Sequence, residues 1–357
     1  MMGLVGMLAA IAMAAACWGM YGPVLHHGRE LMHSALRPFV CVGVAYFVIA
    51  VLAPLAVLFR QGEKGAWTST GVAWSLFSGA MGAIGALGVI LALSFGGKPI
   101  YVMPLVFGGA PVVNTLLTAA MNRAFNQIKA PFLAGLILVI SGAVTVLVFK
   151  PQPQAKPEAP VAAAAAEETA TADDAAAADA AEAAKPSLVA QARAGGERFI
   201  EILLATAMAL VCWGAYGCVL HKGQSAMGGS RLRPLICIGI SYFLIAVLVP
   251  LALIGPMGDT GTWDVAGSIW SLAGGALGAI GALGIILAFN CGGKPFTVMP
   301  VVFGLAPVIN TLVSLATSGT PMSAVSPIFL AGLLVVAVGA ATVLVFGPRG
   351  HAKPKPA

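Results

Sequence analysis

Two matching stretches decide how this chain folds: Cys17-Trp18-Gly19-Met20-Tyr21-Gly22 and Cys212-Trp213-Gly214-Ala215-Tyr216-Gly217. Further matches follow in the same order along both halves: Arg37-Pro38 with Arg233-Pro234, Trp74-Ser75-Leu76 with Trp270-Ser271-Leu272, Gly96-Gly97-Lys98-Pro99 with Gly292-Gly293-Lys294-Pro295, and Asn114-Thr115-Leu116 with Asn310-Thr311-Leu312. Matches in one order over a whole half do not arise by chance. The chain is a tandem duplication, and aligned residues of its two halves are termed repeat mates below.

The composition indicates a membrane protein. Hydrophobic residues make up 59% of the chain and charged residues only 9%, and the mean hydropathy is +0.95. A soluble domain carries roughly 25% charged residues, so a chain this apolar needs lipid as its solvent. The net charge of +6 comes from basic residues scattered singly between apolar runs, which argues against a nucleic-acid partner. The cysteines form no CxxC pair, so we expect neither a disulfide framework nor a zinc site.

Each half contains apolar stretches of about the 20 residues that cross a bilayer. They lie at 3–25, 39–59, 72–95, 99–121 and 130–149 in the first half, and at 202–220, 235–254, 265–290, 295–317 and 327–346 in the second. Because each half has an odd number of spans, the two halves must enter the membrane from opposite sides. We therefore predict an all-α membrane protein whose ten transmembrane helices form two inverted five-helix repeats.

The segment between the repeats has a different composition. Residues 151–196 are rich in Ala, Glu, Asp and Pro and contain almost no aromatic or large aliphatic side chains. Such a segment cannot bury enough apolar surface to order itself. We predict a disordered linker there, between a first repeat at 1–150 and a second at 197–348, with a basic cytoplasmic tail at 349–357.

The basic residues predict the orientation in the membrane. From residue 199 onward, every Lys and Arg falls on the face that carries the N-terminus: Lys222, Arg231, Arg233, Lys294, Arg349, Lys353 and Lys355. Cytoplasmic loops carry the excess of positive charge. We therefore expect a multi-pass protein of the cell inner membrane with both termini in the cytoplasm and the linker outside, although the linker's own basic residues favour the reverse.

The acidic residues are informative because none lies in the middle of a predicted helix. A carboxylate buried in the membrane is the usual site for a cation or a proton relay, so its absence argues against a cation exporter that works through a membrane glutamate. The sequence also has no HExxH, no paired carboxylates and no GxSxG. We predict that the protein is not an enzyme and has no catalytic residue, metal or cofactor.

Two pairs of polar repeat mates are candidates for substrate binding or gating. Lys98 and Lys294 stand in Gly-Gly-Lys-Pro before a helix, where the ammonium can meet an anionic or hydroxyl-rich substrate or can end an ordinary turn at the interface. Asn114 and Asn310 follow prolines in the fourth and ninth spans. Proline frees backbone carbonyls, so these amides can bind a polar substrate or satisfy those carbonyls. Asn290, at the end of the eighth span, is a further candidate.

Aromatic residues form the other candidate set. Trp18 and Tyr21, with their mates Trp213 and Tyr216, lie well inside their spans, where they can stack on a substrate ring or pack between helices. Trp74 and Trp270 lie near span starts and favour an interfacial belt. His26 and His221 lie at span ends, where an interfacial position is favoured over proton transfer.

The pattern resembles the ten-span members of the drug/metabolite transporter superfamily. The resemblance rests on two five-span repeats, an early Trp-Gly in each, a glycine-rich third span, a fourth span with Pro-x-x-x-Thr-Leu, and a short last span with glycines. It covers nearly the whole chain except the linker. Both the EamA-like branch and the glucose, ribose and rhamnose uptake branches are similar. The glutamate that many exporters carry after the fourth span is replaced by Met121-Asn122-Arg123 and Ser318-Gly319.

The resemblance implies a central cavity lined by spans one, three and four of each half, which adds Tyr101 to the candidates. We therefore expect a secondary transporter that moves a small neutral or anionic metabolite, such as a sugar, amino acid or organic acid, by alternating access. Its partners would be that substrate and the lipid bilayer, and a homodimer is left open. The alternative is a membrane scaffold or sensor that transports nothing.

Overall fold

The computed structural model describes residues 2–97, 99–149, 188–318 and 325–348. The first half contains α1 (Met2–Met32), α2 (Leu36–Tyr46) continued through a π-helical turn (Phe47–Leu52) into α3 (Ala53–Gln61), α4 (Ser69–Ser94), α5 (Pro99–Asn122) and α6 (Ala130–Val148). The second contains α7 (Leu188–Ala226), α8 (Leu232–Phe243) continued through a π-helical turn (Leu244–Leu248) into α9 (Val249–Ile254), α10 (Val265–Asn290), α11 (Pro295–Ser318) and α12 (Pro327–Phe346).

Within the described residues, nine helices are long and apolar enough to cross a membrane, which supports a multi-pass membrane protein. A shorter apolar helix, Ala130–Val146, lies where the fifth span of the first half was predicted. The largest differences from the predicted boundaries are at α1, which continues to Met32, and at α7, which begins at Leu188 inside the predicted linker and continues to Ala226. The extension of α1 contains Arg, Glu, Leu and Met, and the early start of α7 contains Leu and Ala, all of which sustain a helix. The rest of the predicted linker and the basic tail lie outside the described residues.

The helices pair across the two halves. Gly6 of α1 approaches Cys291 at the end of α10, and Gly28 of α1 approaches Gly267 at its start, so these helices run antiparallel. Helices α4 and α7 pair in the same way, as do α6 and α12, where Gly142 lies against the Gly332 carbonyl. Small residues let helix backbones come this close, which matters in lipid because van der Waals packing drives the association.

The two π-helical turns pack against the opposite half. Gly43 of α2 lies against Ala246 and Val247 of the second turn, and Gly239 of α8 lies against Ala50 and Val51 of the first. The turns are thus placed at repeat-mate positions on either side of the molecule's centre. Such single-turn interruptions are frequent at functional sites.

An ion-pair cluster, the Arg37 clasp, joins the halves at one end of the bundle. Arg37 at the start of α2 pairs with Asp259, which also accepts a hydrogen bond of 2.6 Å from the Ser34 hydroxyl. Trp263 lies 5.8 Å from the Arg37 guanidinium, within cation–π range. The end of the bundle that holds this clasp is called the Arg37 end.

Its repeat mate, the Arg233 clasp, lies at the opposite end. Glu63 accepts hydrogen bonds from the Ser230 hydroxyl and the backbone N–H of Arg231 and Leu232, and its carboxylate lies 3.6 Å from Arg233. Burial acts to raise the pKa of Glu63, but the hydrogen bonds from Ser230 and the start of α8 outweigh it and hold the pKa below its ordinary value. This is the Arg233 end, and each clasp takes its carboxylate from one half and its arginine from the other.

Candidate functional site

A cavity of about 400 Å³ lies at the centre of the bundle, between the helices of the two halves. Its walls come from α1, α2, α4 and α5 of the first half and from α7, α8, α10 and α11 of the second. The residues around its mouth, Arg29, Ala35, Leu93 and Ser314, belong to helix ends on the same side as the Arg37 clasp. The cavity therefore opens towards the Arg37 end.

The inner walls of the cavity are aromatic. Trp18 donates its indole N–H to the carbonyl of Gly278 at 3.2 Å, and its mate Trp213 donates to Gly82 at 3.2 Å. A side chain at the neighbouring Gly281 would place its Cβ 2.2 Å from the Trp18 ring, so glycine is required there. Because both N–H groups are engaged with the backbone, the two indoles offer the cavity ring surface rather than donors.

Further rings complete these walls. Phe107 and Phe303 are repeat mates whose ring centroids lie 6.3 Å apart, and Phe107 lies 5.9 Å from Trp213. Tyr46 and Tyr242, another pair of mates, stack face to face at 3.8 Å. These rings contact one another at distances in the range at which aromatic groups attract each other, and together they form an aromatic lining of the cavity.

Tyr216, which also lines the cavity, carries a hydroxyl group without a hydrogen-bond partner among the described residues. Its side chain is 5% exposed, and its hydroxyl makes no hydrogen bond within the described part of the chain. A buried hydroxyl without a partner costs about 1–3 kcal/mol. A polar group of a bound molecule would remove that cost.

The Arg233 end of the cavity is closed by one contact between the halves and one contact within the second half. Asn114 donates its side-chain N–H to the Pro295 carbonyl at 2.8 Å, and Gln224 donates to the Ile286 carbonyl at 3.0 Å. These bonds tie α5 to the start of α11, and α7 to the end of α10. They seal the route from the cavity to this end of the bundle.

The repeat mates of these residues are separated at the other end. Asn310, the mate of Asn114, and Arg29, the mate of Gln224, both line the open cavity. Neither side chain makes a hydrogen bond within the described ranges. Ile90, the mate of Ile286, is also part of the cavity wall. The residues that make hydrogen bonds across the closed Arg233 end thus have repeat mates that make no such bonds at the Arg37 end.

The predicted site residues divide into three groups. Five line the cavity: Trp18, Tyr21, Trp213, Tyr216 and Asn310. Three lie elsewhere, since Asn114 is buried in the seal and Asn290 and Lys294 are exposed near the end of α10. Lys98 and the side chain of Tyr101 lie outside the described residues.

Several lining residues were missed by the sequence reasoning. The pairs Tyr46 with Tyr242 and Phe107 with Phe303 are identical in both repeats, and this identity was a signal that could have found them. Arg29 breaks the repeat, because its mate is Gln224, and no pattern in the sequence placed it beside a cavity. Within the described ranges, no group of His, Cys, Asp and Glu could hold a metal ion.

No family model matches this chain, and no curated protein matches it in sequence. The fold has a solved counterpart. That structure, described as "Crystal structure of protein", superimposes with a TM-score of 0.61 over 96% of this chain and 98% of its own. The sequence identity is 15%, so the similarity concerns the fold alone.

Proposed function

We propose that this protein is a secondary transporter of the drug/metabolite transporter type, which carries a small neutral or anionic metabolite across the inner membrane by alternating access. Ten helices would cross the bilayer as two inverted repeats, with the shorter α6 as the fifth span. The N-terminus and the Arg233 end would face the cytoplasm, as the basic residues of the second half favour. The open mouth would then face outwards.

The observation that carries the proposal is the difference between repeat mates at the two ends of one cavity. Asn114 and Gln224 close the Arg233 end, while Asn310 and Arg29 stand apart at the Arg37 end. Asn114 and Asn310 are the same residue, and Gln224 and Arg29 both carry side-chain N–H donors, so closing the open end and opening the closed one would exchange similar contacts. Two arrangements of similar energy around a central site are what alternating access requires.

The antiparallel pairing of α1 with α10 and of α4 with α7 supports the inverted topology. Helices α1 and α7 are repeat mates, as are α4 and α10. If each half crosses the membrane in the same way, α1 and α4 run in one direction and α7 and α10 in the other. The pairings of α1 with α10 and of α4 with α7 are then antiparallel, in agreement with the glycine contacts described above.

Flux measurements test this proposal. The purified protein is reconstituted in liposomes with a labelled panel of sugars, amino acids and organic acids. Ser314→Trp places a large ring in the mouth, whereas Thr317→Trp places the same ring on the exposed face of the same helix. We expect saturable flux in the wild type and in Thr317→Trp and its loss in Ser314→Trp, with all three proteins monodisperse in detergent.

Other outcomes separate the alternatives. A compound that binds, seen as a change in tryptophan fluorescence, but does not cross the membrane would support a sensor. Correctly folded protein that neither binds nor transports any member of the panel would favour a scaffold. Equal flux in both tryptophan variants would show that the route does not pass through this cavity.

A further inference from the structure

The cavity contains an arginine that nothing in the described chain neutralises. Arg29 is half-buried at the mouth, and no ion pair among the described residues includes it. The neighbouring Glu30 is directed to His26 and His27, whose ring nitrogens lie 3.4 and 3.9 Å from its carboxylate oxygens. Among the described residues, no acidic side chain lines the cavity. A bound molecule would therefore meet a positive charge without competition from a protein carboxylate.

The guanidinium group suits a particular partner. Its planar fork of N–H donors matches the two oxygens of a carboxylate, and such charge-assisted bonds are stronger than neutral ones. The repeat mate, Gln224, has a neutral amide that is sufficient to bond the Ile286 carbonyl. The contact at the Arg233 end is therefore made without a charged side chain. The positive charge of Arg29 is not needed for an equivalent contact, and it can instead bind an anionic group of a substrate.

The other lining residues indicate which chemical groups the remainder of the bound molecule should carry. The indole N–H groups of Trp18 and Trp213 are hydrogen-bonded to backbone carbonyls, so these side chains present only ring surface to the cavity. Phe107 and Phe303 contribute no polar atom. The Tyr216 hydroxyl, deeper than Arg29, is buried without a partner. A neutral sugar could stack its C–H face on these rings but would leave Arg29 without a counter-charge.

We propose that the substrate is an aromatic carboxylate, with its acid group on Arg29, its ring between the aromatic walls and a polar ring substituent at Tyr216. This inference rests on the proposed transport function and specifies its substrate class. The protein groups that would match such a substrate are the Arg29 cation at the mouth, the aromatic side chains in the middle of the cavity and the Tyr216 hydroxyl further inside.

Binding of a matched pair of probes tests the inference. We use 4-hydroxybenzoate and 4-hydroxybenzamide, which differ in the charge of one group, with glucose as a third probe, and follow tryptophan fluorescence and thermal unfolding of the full chain in detergent. Because a hydrogen bond to a charged group contributes more than a neutral one, we expect the acid to bind about tenfold or more tightly than the amide. Glucose should not bind.

Arg29 is then changed to Gln, the residue that its repeat mate carries, and to Lys. The preference for the acid should vanish in Arg29→Gln and persist in part in Arg29→Lys. Arg60→Gln removes one positive charge from an exposed position outside the cavity and should leave the preference intact. Thermal unfolding of each variant without probe reports whether it folds.

Three outcomes would overturn the inference. The acid and the amide bind equally well, or the preference for the acid survives in Arg29→Gln, or glucose binds while 4-hydroxybenzoate does not. Each of these leaves the transport proposal standing if the liposome panel still shows saturable flux. Failure of the transport proposal is separate, because it is the absence of flux across the whole panel.

Discussion

The two ends of the central cavity are built from the same sequence motifs but make different contacts. At the Arg233 end, Asn114 bonds to the Pro295 carbonyl of the other half and Gln224 bonds to the Ile286 carbonyl of its own half, whereas at the Arg37 end their mates line open space. The clasps around Arg37 and Arg233, by contrast, are formed at both ends. The comparison separates a frame of clasps, which is the same at both ends, from an inner layer of contacts that differs between the two ends.

Substitutions in the two clasps should have the largest effect on the free energy of unfolding. In both clasps the paired side chains are at most 11% exposed, and removing one partner of a buried ion pair costs about 3–5 kcal/mol. Arg37→Ala and Arg233→Ala should each lower the free energy of unfolding by that amount, measured by thermal or chemical unfolding in detergent. A loss below about 1 kcal/mol, typical of a surface pair, would remove the clasps from the frame.

Thiol labelling tests the difference between the ends. Ser314 lines the open cavity, and its mate Thr118 is 1% exposed. In a background without the six native cysteines, Ser314→Cys should react with a membrane-impermeant maleimide about 10- to 1,000-fold faster than Thr118→Cys, since a minor state is typically populated at 0.1–10%. Thr317→Cys, on the exposed face, is the control. Equal rates at Ser314 and Thr118 would show that both ends are equally open.

Weakening the seal should shift the balance of the two arrangements. Asn114→Ala removes one hydrogen bond from the closed end, and a bond contributes about 1 kcal/mol, so labelling of Thr118→Cys should accelerate about fivefold. Asn310→Ala removes no bond in this arrangement and is the matched control. If both alanine variants accelerate labelling alike, the asparagine at the closed end has no special role.

The pH dependence of stability is the smallest expected effect. The pKa of Glu63 is lower in the folded protein than its ordinary value of 4.5, so its contribution to stability is complete above that pH and is lost as the pH falls through the folded pKa. On acidification below about pH 4.5, the wild type should therefore lose stability more steeply than Glu63→Gln. Parallel pH profiles of the two proteins would exclude this contribution.

The repeat made most of the architecture predictable. Identical motifs located most of the helices, and the structure places Trp18, Tyr21 and their mates in the lining of the cavity. Sequence identity between repeats says nothing, however, about which end is open. Asn114 and Asn310 are the same residue in the same motif, and only the packing of the surrounding helices makes one a seal and leaves the other in the cavity.

The sequence analysis also did not predict the position of Arg29 or the two clasps, for a different reason. Arg29 looked like one of several basic residues at helix ends, and its place in the cavity wall depends on α1 continuing to Met32. The clasps depend on contacts between Arg37 and Asp259 and between Glu63 and Arg233, which are distant in the sequence. Pattern matching within a repeat cannot find a partner that the other repeat supplies.

The exchange of carboxylates between the clasps has a consequence for the independence of the two repeats. A single repeat would carry an arginine at one end and an acidic residue at the other, and neither would meet a partner within the same copy. Two identical copies, inserted in opposite orientations and related by a two-fold axis, would complete both clasps at once. The clasps are therefore joints that neither repeat can form alone, so each half depends on the other to neutralise its buried charges.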